Sequence, residues 1–376
     1  MGGSQNITVN TTYFYRGGYF HYNESDYRGF AFVSENKSNN ITMYHYFHQD
    51  NGRKGQEYKT EMLDKHGSIF QRRDNTWTTL LNNTFYVTQL TQENTSTFNG
   101  NPSNPKISKA TYEYDAYGNV RTKSSLGDIA ITGDESYEYS DFVYGSPWII
   151  DTLKQYRLLD SDNATKLQET KYSYDGLSFG SSPTKGDVTT KEKTVTASTT
   201  TTTLYGYDNY GNVINQTDSN DHTAKFIFGL RDTTYTFPDR VINAKNHATD
   251  YRFDLGTGNL KSIVDPNGFI TNYTYDVFGR LTKEIKPLDT LTHPTKEISY
   301  TFDGSAPEQI TIKQRETNAT LNTLDIHQFH DGFGKIIQRK SEAENNKQIV
   351  ENVFYEDDNR IKTRSNKYLI SSSADY

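Results

Sequence analysis

Tyr273-Thr274-Tyr275-Asp276-Val277-Phe278-Gly279-Arg280-Leu281 reads as strand, turn and strand again. Two rings at period two share one face of a strand. Asp276 suits the first position of a type I turn, because its carboxylate can accept N–H groups two residues on. Gly279 suits a left-handed residue closing the turn with a bulge. The same phrase recurs at Tyr112-Glu113-Tyr114-Asp115-Ala116-Tyr117-Gly118-Asn119-Val120 and Tyr205-Gly206-Tyr207-Asp208-Asn209-Tyr210-Gly211-Asn212-Val213. Looser copies run through Phe253, Asp254 and Gly258, through His330, Asp331 and Gly334, and through Tyr355, Glu356, Asn359 and Arg360.

From Asp208 the equivalent positions fall at Gly229, Asp254, Asp276, Asp303, Asp331 and Glu356, at intervals of 21, 25, 22, 27, 28 and 25 residues. That length holds two strands and two turns, one hairpin per repeat, with Asp265-Pro266-Asn267-Gly268 and the turn at 218–221 separating units. The copy at Asp303 lacks the Gly-Arg ending, so an irregular turn is expected there. The Thr-rich run at 195–203 is expected as a strand following a loop at 176–188.

Composition fits this reading. The 376 residues include 29 Tyr and 20 Phe, but hydrophobic residues total only 33%. Such a chain lacks material for a broad aliphatic core and suits sheets faced with amphipathic rings. The expected fold class is all-β, with very little helix. Cys is absent, which removes disulfides and thiolate chemistry. A net charge of -7 argues against nucleic acid as partner, and no apolar run has the length of a membrane span. Met1-Gly2-Gly3-Ser4 has neither the basic nor the apolar part of a signal peptide and reads as an arbitrary start.

The repeat phrase, with Asp265-Pro266-Asn267-Gly268 leading into it, resembles the YD-repeat of bacterial RHS proteins, toxin-complex B and C subunits, wall-associated proteins and animal teneurins. The resemblance covers roughly 111–365. Upstream, Asp26-Tyr27-Arg28-Gly29-Phe30 and Gly52-Arg53-Lys54-Gly55 resemble the segment that precedes the repeats in toxin-complex B subunits. The implied organisation is a β-rich lead-in at 1–110, a repeat array at 111–366 (irregular over 111–204, regular over 205–366) and a tail at 367–376. The resemblance also implies hairpins joined into a curved strip or spiral shell around a toxic C-terminal domain, in a secreted or cell-surface protein. The expected partners are other parts of the same shell or a partner shell subunit, and the enclosed toxin. The alternative is a surface module that binds glycans or a protein receptor through exposed rings. No variable toxin and no aspartyl self-cleavage terminus is found, so an excerpt of a larger protein is expected.

No residue is assigned a catalytic, cofactor or metal role. The repeated aspartates lack EF-hand spacing and are explained as turn formers. His327 and His330 lie three apart, on opposite faces of a strand, where a shared metal is awkward. Eleven Asn-x-Ser/Thr triplets follow from a chain rich in those residues, and Asn272 stands inside a repeat strand. The residues expected to build the repeat are Tyr114, Asp115, Gly118, Tyr207, Asp208, Gly211, Phe253, Asp254, Gly258, Tyr275, Asp276, Gly279, Arg280, Asp331 and Gly334.

Overall fold

A computed structural model describes residues 10–37, 41–82, 85–98, 103–196, 199–304, 307–317, 320–356 and 360–372. The triplets at Asn6, Asn40 and Asn318, the start at 1–4, the Asn359 position and residues 373–376 of the tail lie outside the described residues. The described chain is all-β: 27 strands and one three-residue 3-10 turn at Tyr22–Glu24. It divides into two units, 1–205 with 218–220, and 206–217 with 221–376.

Unit 1 contains β1 (Thr11–His21), β2 (Asp26–Lys37), β3 (Thr42–Phe47), β4 (Glu57–Leu63), β5 (Ile69–Asn82), β6 (Phe85–Thr97), β7 (Lys106–Tyr114), β8 (Val120–Asp128), β9 (Ser136–Gly145), β10 (Ile149–Leu159), β11 (Lys166–Tyr174), β12 (Val188–Thr196) and most of β13 (Thr199–Tyr207). Each strand pairs antiparallel with the next in sequence. The Thr-rich run differs from expectation. It folds back on itself, with Thr194 opposite Thr200 and Thr196 opposite Thr199, so it supplies both arms of a hairpin. Threonine favours strands in either arm, and nothing in a uniform run marks where the chain reverses.

Unit 2 contains β14 (Val213–Thr217), β15 (Thr223–Ile227), β16 (Arg240–Ile242), β17 (Ala248–Phe253), β18 (Leu260–Val264), β19 (Ile270–Tyr275), β20 (Leu281–Ile285), β21 (Lys296–Thr301), β22 (Glu308–Arg315), β23 (Thr323–His330), β24 (Ile336–Ala343), β25 (Lys347–Tyr355), β26 (Ile361–Arg364) and β27 (Tyr368–Ser371). Pairing again follows chain order, except that β25 pairs β26 through one half and β27 through the other. Such connectivity needs only local loop closure.

Few apolar side chains are enclosed. Among the described residues Val350 and Phe329 are nearly inaccessible, and polar groups including Arg28, Asp239, Arg315 and Lys340 are buried as well. Sheet pairing and half-buried rings therefore hold much of the structure that a globular core would otherwise hold.

Candidate functional site

The repeated turns form one geometry. At Asp276, the backbone N–H bonds Arg280 O at 3.0 Å and Gly279 N–H returns to Asp276 O at 3.0 Å. Its Oδ1 accepts the N–H groups of Phe278 and Arg280, each at 2.9 Å. Asp115, Asp208 and Asp331 make the same pair of Oδ1 contacts with the residues two and four positions on. Gly118, Gly211, Gly279 and Gly334 have φ between +77° and +93°. Each turn shifts the strand register by one residue, seen where Tyr114 faces Val120, Tyr275 faces Leu281 and His330 faces Ile336. Asp254 is one residue longer: its Oδ1 accepts from Gly256 and Thr257, and Gly258 closes the turn.

These hydrogen bonds favour the charged carboxylates. Burial pushes the Asp115 carboxyl up, but bonds from Tyr144, Asn119 and Tyr117 outweigh it and hold it below the ordinary range. Asp208 and Asp276 are lowered in the same way, against burial, by Asn212 and Arg280 respectively.

Links between hairpins were not legible in the sequence. Tyr275 donates its hydroxyl to Leu260 O at 2.9 Å, Tyr300 to Leu281 O at 3.0 Å and Tyr355 to Ile336 O at 3.0 Å. Each acceptor is the strand residue just after an earlier turn. In unit 1, Tyr114 reaches Leu90 O and Tyr174 reaches Leu153 O. Phe253 has no hydroxyl and instead stacks on Phe237, with centroids 4.6 Å apart. The residue after the turn glycine also reaches outward. Asn119 Nδ2 donates to Ile150 O and Asn212 Nδ2 to Tyr235 O. Arg280 Nε bonds Asp276 Oδ2 at 2.6 Å, while its guanidinium carbon lies 4.3 to 5.2 Å from the ring centres of Tyr300, Phe302 and Phe278.

Two further nodes hold irregular segments. The Asp175 carboxylate accepts backbone N–H groups from Thr184, Lys185, Gly186 and Asp187. Burial raises its pKa, but these four donors prevail and bring it down to about 2. In the lead-in, Gln49 Nε2 donates to both Gly17 O and Gly29 O, at 2.7 and 2.9 Å. Buried Arg28 contacts Glu24, Asn51 and Gln49 O, and Lys54 pairs with Asp26 at 2.6 Å. Thr88 donates to Gly52 O, tying the 48–55 loop to the β5–β6 hairpin. The two lead-in motifs thus meet in one polar cluster.

His327 is buried, with Nδ1 near Gln309 and Thr311, whereas His330 Nδ1 contacts Gly334 O of its own turn. Burial lowers the His327 pKa. Among the described residues, no group of three or more His, Cys, Asp and Glu side chains is gathered as a metal ligand set. Among the described residues, no helix is long and apolar enough to cross a membrane.

Comparison with known proteins places this geometry. A family profile described as RHS Repeat matches residues 248–290, which span the turns at Asp254, Asp265 and Asp276. No curated protein matches by sequence. The crystal structure of TcdB2-TccC3 superposes with a TM-score of 0.73 at 11% identity, covering 96% of this chain and 28% of that one. TcdB2-TccC3 without its hypervariable C-terminal region gives 0.71 at 10% identity, over 94% and 30%. The Photorhabdus luminescens Tc holotoxin pore, carrying a TccC3 variant, gives 0.72 at 11% identity, over 96% and 30%. The chain thus spans less than a third of the length of these structures, and identity this low speaks for the fold alone. Residues 248–290 thus carry an RHS Repeat match, and the described strands share the fold of part of the TcdB2-TccC3 structures.

Proposed function

We propose that this chain is a non-catalytic, structural segment of a secreted RHS-repeat shell that encloses a toxic C-terminal domain and helps deliver it. The observation that carries this reading is the likeness of 96% of the chain to part of TcdB2-TccC3. A related structure is described by the removal of a hypervariable C-terminal region. In this reading 1–110 is the lead-in, 111–366 the wall and 367–376 a tail. The fifteen repeat residues, from Tyr114 to Gly334, are structural. The partners are the remaining wall, in the same chain or a partner subunit, and the enclosed toxin. Limited proteolysis of the complete gene product tests it. A C-terminal domain that resists cleavage until the wall is cut supports enclosure; one released at once by trace protease overturns it.

One observation favours a second reading, a recognition surface for glycans. Tyr13, Tyr15, Phe30 and Tyr27 are exposed and form a run of rings with centroids 4.9 to 6.3 Å apart on β1 and β2. Rings of this kind offer apolar faces to sugar C–H groups. A glycan array probed with wild type and Tyr15→Ala decides it; binding that the substitution leaves unchanged, or no binding, removes this reading.

A further inference from the structure

Of the nine histidines in the chain, His327 alone is buried, at 6% accessible. It stands within β23, directly opposite Thr311 of β22 and Lys340 of β24. Lys340 in turn faces Val350 of β25. Residues directly opposed across antiparallel strands share one face, so these four side chains form a row across four strands. Lys340 is 4% accessible and Val350 is fully enclosed. An imidazole and an ammonium group thus lie side by side, both away from water.

The hydrogen bonds at the ring fix its charge. Gln309 Nε2 donates to Thr311 Oγ1 at 3.0 Å and lies 3.1 Å from His327 Nδ1, and Thr311 Oγ1 is 3.1 Å from the same nitrogen. An amide nitrogen only donates, so Nδ1 accepts here and the ring is neutral, with its proton on Nε2. A proton added at Nδ1 removes that acceptor and sets a donor against a donor. It also puts a second cation beside Lys340, where burial keeps water from screening either.

Among the described residues, the other charged groups acting on the ring are Asp325 from its own strand, Lys313 from β22 and Glu342 from β24. Asp325 already pairs with Lys313 at 3.5 Å, and Glu342 accepts the Asp325 N–H. Burial, the largest influence, lowers the His327 pKa; Asp325 and Glu342 draw it up, Lys340 and Lys313 press it down, and the net direction is down. The closed strands therefore bind this proton more weakly than an opened segment does. Their stability is fully present above the ordinary value of 6.5 and is lost as pH falls below it toward the folded value. Opening rises there by at most about tenfold per pH unit.

We propose that His327 is an acid-sensitive latch on β22 to β24, holding the three strands together while neutral and loosening them when protonated. The inference rests on this row and not on enclosure of a cargo. Hydrogen-exchange mass spectrometry of the full chain at about pH 7.5 and about pH 5.5, corrected for intrinsic exchange, tests it on wild type, His327→Gln and Gln309→Glu. His327→Gln keeps a polar side chain that does not titrate. Gln309→Glu sets a carboxylate against Nδ1, which favours the imidazolium. In wild type, acid should raise opening of β22 to β24 by about threefold or more. The response should vanish in His327→Gln and vanish or reverse in Gln309→Glu. Strands β17 to β20, which contain no histidine, should stay level in all three. A wild type with no acid response in β22 to β24, or a response unchanged in either variant, overturns the proposal. Should His327→Gln fail to fold, Gln309→Glu decides alone, because a purely structural His327 would leave its pH response as in wild type.

Discussion

At Gly279 the cost of a side chain can be separated from the cost of space. The residue has φ +77°, and an added Cβ would approach no atom closer than 3.5 Å. Gly279→Ala should therefore destabilise by about 1–2 kcal/mol through conformation alone, and Gly279→Asn by less. Gly229 has the same sign of φ, but its Cβ would lie 2.6 Å from the Tyr235 ring, so Gly229→Ala should cost more than Gly279→Ala. Urea unfolding of the three variants checks the order. Tyr275→Phe removes one hydroxyl bond to Leu260 O and should cost about 1 kcal/mol. Asp175 makes a pH prediction. Its folded pKa is depressed to about 2 from an ordinary value of 3.8, so its stabilisation is fully present above pH 3.8 and fades as pH falls toward 2. Hydrogen exchange in the 176–187 loop should separate wild type from Asp175→Asn at neutral pH, and the two should converge near pH 2. A gap independent of pH would contradict the assignment to the carboxylate.

Hairpins are where the sequence speaks most clearly, because turn and bulge are local: Asp276 and Gly279 stand three apart and contain their own bonding partners. The all-β fold follows from the same locality, since β19 and β20 are joined by that turn alone. The Asn243 turn was harder to see, as Asn246 at φ +61° does the work of glycine and Asn243 that of aspartate. What lies between hairpins is not written at any fixed spacing. Leu260 accepts from Tyr275, and Asn119 reaches Ile150, by backbone carbonyls that any residue could supply. The lead-in cluster is the extreme case. Gln49 carries no sequence signal, yet its amide bridges Gly17 and Gly29 on neighbouring strands. Gln49→Ala should raise hydrogen exchange across β1, β2 and 48–55 together, while Gln49→Glu, which keeps size but lacks both amide protons, should match it. Exchange confined to the substituted residue would reduce Gln49 to a surface side chain.

Across the whole molecule, pairing by chain order makes stability a matter of nearest neighbours. Each strand is held by the strands before and after it, and few side chains are buried deeply enough to couple distant ones. A local defect should then loosen adjacent strands and fade with distance along the ladder, unlike a defect in a shared core. Gly145 offers a severe one, because an added Cβ would collide with the Pro183 carbonyl oxygen, a rigid backbone atom. Gly145→Ala should disturb β9, β10 and the 176–187 loop that packs there, with Asp175 losing its ordered N–H donors. Strands β22 to β25, which enclose Phe329 and Val350 in unit 2, should keep their wild-type protection. Hydrogen-exchange mass spectrometry resolves the two segments in one experiment. Uniform loss of protection in both would mean that the chain unfolds as a single cooperative body, and the nearest-neighbour account of its stability would have to be abandoned.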